Sequence, residues 1–251
     1  MIITKNKNTA PIIDLDYFYT KKMFNACSIN DIASEIVAMY ENSIKTAPDR
    51  ELALKRVKEG LNYVQPQLIN YERNAEILSI SPYIRFLDLA VRFVIPLDEN
   101  ASSVVRVTNN LTEAFGWTVE DLKKAAMNNL VVKKMTVLDK LSDFEKTLFD
   151  NEMLEHLNEM TILCTDMIDH GAAAMLKKKP MRELAEYYNS DLIIIPSSVH
   201  EVLVLPLTDA NRESIVSQPD MVQLVNTKCV DDKEILSDRF YMYIRSEDTI
   251  D

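Results

Sequence analysis

Apolar positions along the chain change period several times, and each change marks an element. Ile29, Ile32, Ile36, Tyr40 and Ile44 recur at three- and four-residue intervals, so residues 28–46 are predicted to form a helix. Ser28 is placed to cap it, with Asp31 at the capping-box position, and Pro48 ends it. A second helix is expected over 49–60, with Leu52 and Val57 facing inward. Residues 63–71 read as extended and 72–78 as a short helical turn. In the run YIRFLDLAVRFVIPL after Pro82, Leu87, Leu89, Val91 and Phe93 alternate with Asp88, Ala90, Arg92 and Val94, which predicts a half-buried strand. Residues 103–108 are its expected hairpin partner. A helix over 109–116 is stopped by Gly116, and another opens at Thr118 and runs to Asn129.

The second half repeats the alternation of kinds. Residues 131–143 fit no single period, 144–157 read as helix, and MTILC at 160–164 as strand. A helix is expected from Gly171 through AAAMLKK, and Pro180 opens MRELAEYYN as its continuation or a second helix. Strands follow at 192–195 and 202–205, then helix in two parts over 211–230 broken at Pro219, then a last strand at 240–244. Helices, strands, helices and strands joined by short links predict an α+β fold, with mainly antiparallel sheet flanked by helices rather than alternating βαβ units. The expected division is a loose N-terminus at 1–11, an N-terminal α+β lobe at 12–130 and a C-terminal α+β lobe at 131–251, with one continuous domain as the alternative.

Composition narrows the function classes. The chain has 251 residues, 47% apolar and 27% charged, enough for a substantial core. Its net charge of −11 opposes broad binding to nucleic acid or anionic lipid. No apolar run approaches the ~20 residues of a spanning helix, and the N-terminal residues lack a secretory h-region, so a soluble cytoplasmic protein is expected. Three scattered cysteines, Cys27, Cys164 and Cys229, form no Cys-x-x-Cys pair and read as buried thiols. Only three glycines occur, Gly60, Gly116 and Gly171, where ~7% usage would supply about 17. Dinucleotide fingerprints, P-loops and Gly-x-Ser-x-Gly elbows need clustered glycines, and none can be built here. No cofactor is expected.

Five segments carry a resemblance: FLDLAVRF at 86–93, GWTVEDLKKAAMNN at 116–129, TDMIDHGAAAML at 165–176, IIPSSVHEVLVLP at 194–206 and MVQLVNTKCVDDKEILSDRFYMY at 221–243. In their order and spacing the chain resembles a family of cytoplasmic proteins from gut clostridia with no assigned function, often encoded on mobile or phage-derived elements. It departs from the family pattern at Leu130 and Asp166. The resemblance implies no catalytic residues.

The candidate chemistry lies in the polar knot between the strands at 192–195 and 202–205. Ser198, His200 and Glu201 are candidate catalytic residues, since a serine nucleophile needs a base and a carboxylate to orient it. On an extended strand Ser198 and His200 share a face about 6.6 Å apart. The alternative is a turn in which Ser197 and Ser198 satisfy backbone groups. His170, His200, Asp166 and Asp169 are candidate metal ligands if the loop after MTILC meets the knot. Asp169 could equally cap the helix that follows. Two functions therefore stand: a non-enzymatic interaction or regulatory protein with a protein partner, or a hydrolase or metal-dependent enzyme centred on PSSVHE. Convergence of the two loops would favour the second.

Overall fold

The computed structural model describes Phe18, residues 28–45, 49–99, 101, 103–167, 169–196, 198–209, 211–212, 222–223, 226–227 and 230–251. The expectations for residues 1–11, Cys27, Ser197, the break at Pro219 and Cys229 lie outside the described residues. The chain divides into two compact units, Met1–Arg50 and Glu51–Asp251.

The first unit contains helix α1 (Ile29–Lys45). Its start is the reciprocal box that the sequence indicates: Asp31 N–H donates to Ser28 Oγ at 3.2 Å, and Ser28 N–H donates to Asp31 Oδ2 at 3.0 Å. Ile32, Ile36 and Tyr40 are half-buried along one stripe.

The second unit is built on two sheets whose described pairings are all antiparallel, an α+β architecture. Helix α2 (Arg50–Lys58) and a 3₁₀ turn (Gly60–Asn62) lead into β1 (Gln65–Asn70). Then come α3 (Ala75–Ser79), β2 (Tyr83–Phe86), β3 (Leu89–Pro96) and β4 (Val104–Arg106). β3 is the centre of this first sheet, with β1 on one side and β2 and β4 on the other. The run read as one strand after Pro82 is a hairpin. Leu87 adopts a left-handed φ of 54° and reverses the chain between β2 and β3. The half-buried alternation is replaced by burial along all of β3, because both faces are covered. Leu89, Val91, Phe93 and Ile95 enter the main core, while Ala90 packs with Ile69 and Leu78 on the other face.

Helices α4 (Asn109–Phe115) and α5 (Val119–Asn129) follow. Gly116 ends the first at φ 68°, and a Thr118–Asp121 capping box starts the second. The segment without a clear period is β5 (Val132–Thr136) running into the short α6 (Val137–Lys140). The helix expected over 144–157 is two, α7 (Asp143–Lys146) and α8 (Asn151–Glu159). Next come β6 (Thr161–Thr165), a 3₁₀ helix (Gly171–Leu176), α9 (Lys178–Tyr188), β7 (Leu192–Ile195), β8 (Val202–Pro206), β9 (Tyr241–Ile244) and β10 (Thr249–Ile250). The second sheet runs β10-β9-β7-β8-β6-β5. One hydrophobic core joins the sheets, with Leu68, Leu89 and Phe93 of the first clustered with Leu163, Ile194, Val202 and Tyr243 of the second.

Polar contacts tie the same two layers. Asp88, at the β2–β3 turn, accepts from Tyr241 Oη at 2.6 Å and from Ser237 Oγ at 2.9 Å. Burial, reinforced by the bond to Asp88, pushes the Tyr241 hydroxyl far above its ordinary value. At the far edge Asp248 reverses the β9–β10 hairpin at φ 54°. It accepts from Tyr243 Oη and Arg182 Nη2, each at 2.7 Å. Those two bonds hold its carboxyl down at about 2, against an ordinary 3.8. A carboxyl lowered by folding stabilises the fold above its unfolded value and ceases to do so as pH falls through its folded value. Asp248→Asn retains a side chain that tolerates left-handed backbone. It should flatten the acid limb of stability between about pH 4 and about pH 2, as read from urea midpoints at a series of pH values.

Candidate functional site: two loops joined at Gly171

Sheet register brings the two candidate loops together. β6 and β8 are neighbours with Leu163 opposite Val202, so the chain leaving β6 lies beside the chain entering β8. A Cβ on Gly171 would stand 2.3 Å from the His200 carbonyl oxygen and 3.1 Å from Thr165 N, so only glycine fits. Ala172 N–H then donates to Val199 O at 3.0 Å. A third segment closes the knot from the far side: Val199 N–H donates to Glu234 O at 2.9 Å, Ser198 bridges to Ile235, and Ser237 N–H donates to Pro196 O at 3.0 Å.

The side chains held there form a row of close polar contacts. Asp169 sits between two imidazoles, with Oδ1 2.9 Å from His200 Nδ1 and Oδ2 3.2 Å from His170 Nδ1. Its Oδ1 also accepts from His170 N–H at 3.0 Å. The other nitrogen of His200, Nε2, lies 3.3 Å from Glu234 Oε1. Both contacts are at ion-pairing distance without the alignment of hydrogen bonds. His170 is held more closely. Its Nε2 lies 3.3 Å from Arg92 Nη2, which can only donate, so His170 accepts there as a neutral ring with its proton on Nδ1. Burial lowers the His170 pKa, as do the charges of Arg92 and His200, while Asp169 opposes them. Nδ1 is buried and makes no well-aligned hydrogen bond despite its proximity to Asp169.

Arg92 anchors the inner end. It is 8% exposed and donates from Nε to Gln67 Oε1 at 3.0 Å, across the β1–β3 pair in which the two residues are opposite. Burial, aided by the charge of Arg106, pulls its guanidinium down to about 10.

The sequence-derived candidates separate on this geometry. His200, His170 and Asp169 meet, with the imidazole centroids 6.3 Å apart. Ser198 takes part through its backbone, and its Oγ accepts from His200 N–H at 3.1 Å, the turn arrangement considered for the knot. Glu201 is paired with Lys140 of α6. Asp166 is exposed and lines a different cavity, with Met167 and Asn129. Asp169 does not cap the following 3₁₀ helix; His170 occupies that position, left-handed at φ 59°, without a side-chain cap. Among the described residues no group of three or more His, Cys, Asp or Glu is arranged to hold a metal ion.

A family model, described as a family of unknown function (DUF5688), matches residues 1–245. The chain belongs to the DUF5688 family. No curated protein and no solved structure matches it. In this DUF5688 member no described helix is long and apolar enough to cross a membrane.

Three participants escaped the sequence reading: Glu234, Gln67 and Arg92 as a partner of His170. Arg92 alone left a signal, since one arginine within LAVRFVIP, a strand otherwise without charge, must find a partner once both faces are covered. Glu234 sits in a polar run, DDKE, with nothing to distinguish it.

Gly171→Ala should cost about 1–3 kcal/mol or more, because the contact is with backbone and cannot be relieved by a rotamer; chemical denaturation measures it. His170→Asn tests the neutral ring. A histidine whose pKa folding lowers leaves stability intact above its unfolded value of about 6.5. Stability falls as pH drops below that value, because only the unfolded chain then binds the proton. Asn keeps the left-handed backbone, so the variant should show a shallower loss of stability between about pH 6.5 and 5 in paired denaturation curves.

Proposed function

We propose that this DUF5688 protein works by binding rather than by catalysis. It would be a soluble interaction or regulatory module of the bacterial cytoplasm, serving a mobile element or its host, with the two-loop cluster acting as a structural clasp. The observation that carries this reading is the placement of His200. Carboxylates flank both ring nitrogens, Asp169 at 2.9 Å from Nδ1 and Glu234 at 3.3 Å from Nε2, so neither nitrogen is open toward a nucleophile. The Ser198 hydroxyl, the nearest candidate nucleophile, is engaged by the His200 main chain. The resemblance to clostridial mobile-element proteins suggests the setting.

A surface suited to a protein partner lies on the first sheet. β2 is an outer strand, and among the described residues no strand pairs with its free edge. Tyr83 and Leu87 are each 36% exposed and Ile80 is 55% exposed, while Arg85 stacks over Tyr71 with Cζ 3.6 Å from the ring centroid. An uncovered edge bearing aromatic and aliphatic side chains is suited to pairing with a strand of another chain.

The convergence of the loops favours one rival, a hydrolase or metal-dependent enzyme using His170, His200 and Asp169. One set of measurements separates the two. Purified protein, Ser198→Ala and His200→Asn are assayed for bound metal, for turnover of ester, phosphomonoester and peptide substrates, and for stability. The binding reading expects no stoichiometric metal and no turnover that the variants abolish. It expects a stability loss of about 1 kcal/mol for His200→Asn, the scale of partly exposed ion pairs. A protein recovered in stoichiometric amount from native cells should be lost with Tyr83→Lys and retained with His200→Asn. Turnover or metal that disappears with His200→Asn overturns the reading.

A further inference from the structure

At the open end of the β7–β8 hairpin, away from the knot, Leu192 pairs with Pro206, and a cleft of about 580 Å³ lies beside the ends of α9, β8 and β9. Its walls are fixed by the turn that follows α9. Asn189 closes that helix in left-handed backbone at φ 52°, and Ser190 N–H returns to Ala185 O at 3.1 Å. Asp191 then ties the three elements together. Its carbonyl accepts from Leu207 N–H at 2.8 Å, and its Oδ1 accepts from Arg245 N–H at 2.9 Å.

Two exposed arginines, Arg212 and Arg245, line this cleft. The Arg245 guanidinium is oriented by Asn189, with Nη1 donating to Oδ1 at 2.5 Å. Asn189 is itself an exposed lining residue, so this bond sets the guanidinium at an open wall, and a neutral amide leaves its charge uncompensated. Neither arginine forms an ion pair among the described residues. Asp191 is the one carboxylate among the described lining residues, and it meets the Arg245 main chain rather than its guanidinium. In a chain of net charge −11 this cleft therefore gathers positive charge against the trend of the molecule, which favours an anion.

The rest of the lining selects what the anion carries. Leu207 is the one apolar side chain among the described lining residues, and none of them offers an aromatic ring on which a base could stack. Ligand sites are ordinarily lined mainly by apolar side chains, so this one suits a ligand that is polar along its whole length. Asp191 Oδ1 is taken by the Arg245 main chain, which leaves Oδ2 to accept from a hydroxyl, and Ser246 adds a hydroxyl of its own. The volume lies within the ~300–1,000 Å³ usual for small ligands. The geometry points to a binding site for a sugar phosphate. Its phosphate accepts from the guanidiniums of Arg212 and Arg245, and a sugar hydroxyl donates to Asp191. Guanidinium side chains take the place of backbone N–H donors here, so the chain needs no glycine loop to hold this phosphate. The site gives a binding module a metabolite input, at the other end of the hairpin from the clasp.

The test uses the full chain. Calorimetric titration and thermal shift are run with pentose and hexose monophosphates, the parent sugars, inorganic phosphate and a phosphoserine peptide. One or a few sugar phosphates should bind with Kd below about 1 mM and raise Tm. Inorganic phosphate and the parent sugars, each half of the ligand, should bind at least about tenfold more weakly. Arg212→Gln and Arg245→Gln should each weaken the sugar phosphate about tenfold or more. Asp191→Asn keeps an acceptor for Arg245 N–H and should weaken the sugar phosphate a few-fold while leaving inorganic phosphate no weaker. Should Arg245→Gln fail to fold, Arg212→Gln carries the comparison. The proposal is overturned if no sugar phosphate binds at about 10 mM, if inorganic phosphate binds as tightly as the best of them, or if the arginine variants bind as the wild type does. A phosphoserine peptide that binds more tightly than every sugar phosphate also overturns it, since the ligand is then a protein. None of these outcomes bears on His200, so failure here leaves the clasp reading standing, and the reverse holds too.

Discussion

At Gly171 the backbone passes so close to the carbonyl of His200 that no side chain can intervene. That contact lets the loop leaving β6 lie flat against the loop entering β8, and the Ala172–Val199 hydrogen bond secures it. The positions of Asp169 and both histidines follow from it. So does the seat of the 234–237 segment, which pairs with the outer side of the same knot. The chain contains three glycines, and one of them occupies the place where two backbones touch.

The row from Gln67 through Arg92, His170, Asp169 and His200 to Glu234 runs from a buried face of the first sheet to the surface. Its members are not equivalent. Arg92 has a neutral amide and a neutral imidazole for partners, and its nearest compensating charge is Asp169, one residue beyond His170. Asp169 therefore serves the buried cation and the exposed imidazole together. Such an arrangement suits a clasp, because at its buried end the loss of Gln67 or His170 leaves a donor of the Arg92 guanidinium unpaired. It suits a general base poorly, because a carboxylate stands beside each ring nitrogen of the exposed histidine.

The fold class and most elements were legible because their signals are local. Ser28 with Asp31, Thr118 with Asp121 and Gly116 each act within a turn of the chain they start or stop. The misreadings also have local causes. Leu87, a residue with no preference for left-handed backbone, makes the β2–β3 reversal, and tertiary contacts through Asp88 hold it. Two-residue β10 is too short to show a period, and its pairing with β9 rests on Asp248 in an equally uncommon conformation.

Residue spacing alone therefore determined most helix and strand starts, an α+β class with mainly antiparallel sheet, and that phosphate-cradling glycine loops are absent. It also singled out the PSSVHE knot and the Asp166–His170 loop as the polar segments worth following. Folding decided which of those side chains meet, and what state each is in. Arg92 reaches His170 across 78 positions of sequence, and Ser237 reaches Asp88 across 149. Capping and periodicity act over three or four residues. Contacts at these separations depend on strand register and on which face of a sheet is covered, and both are set only when the core closes.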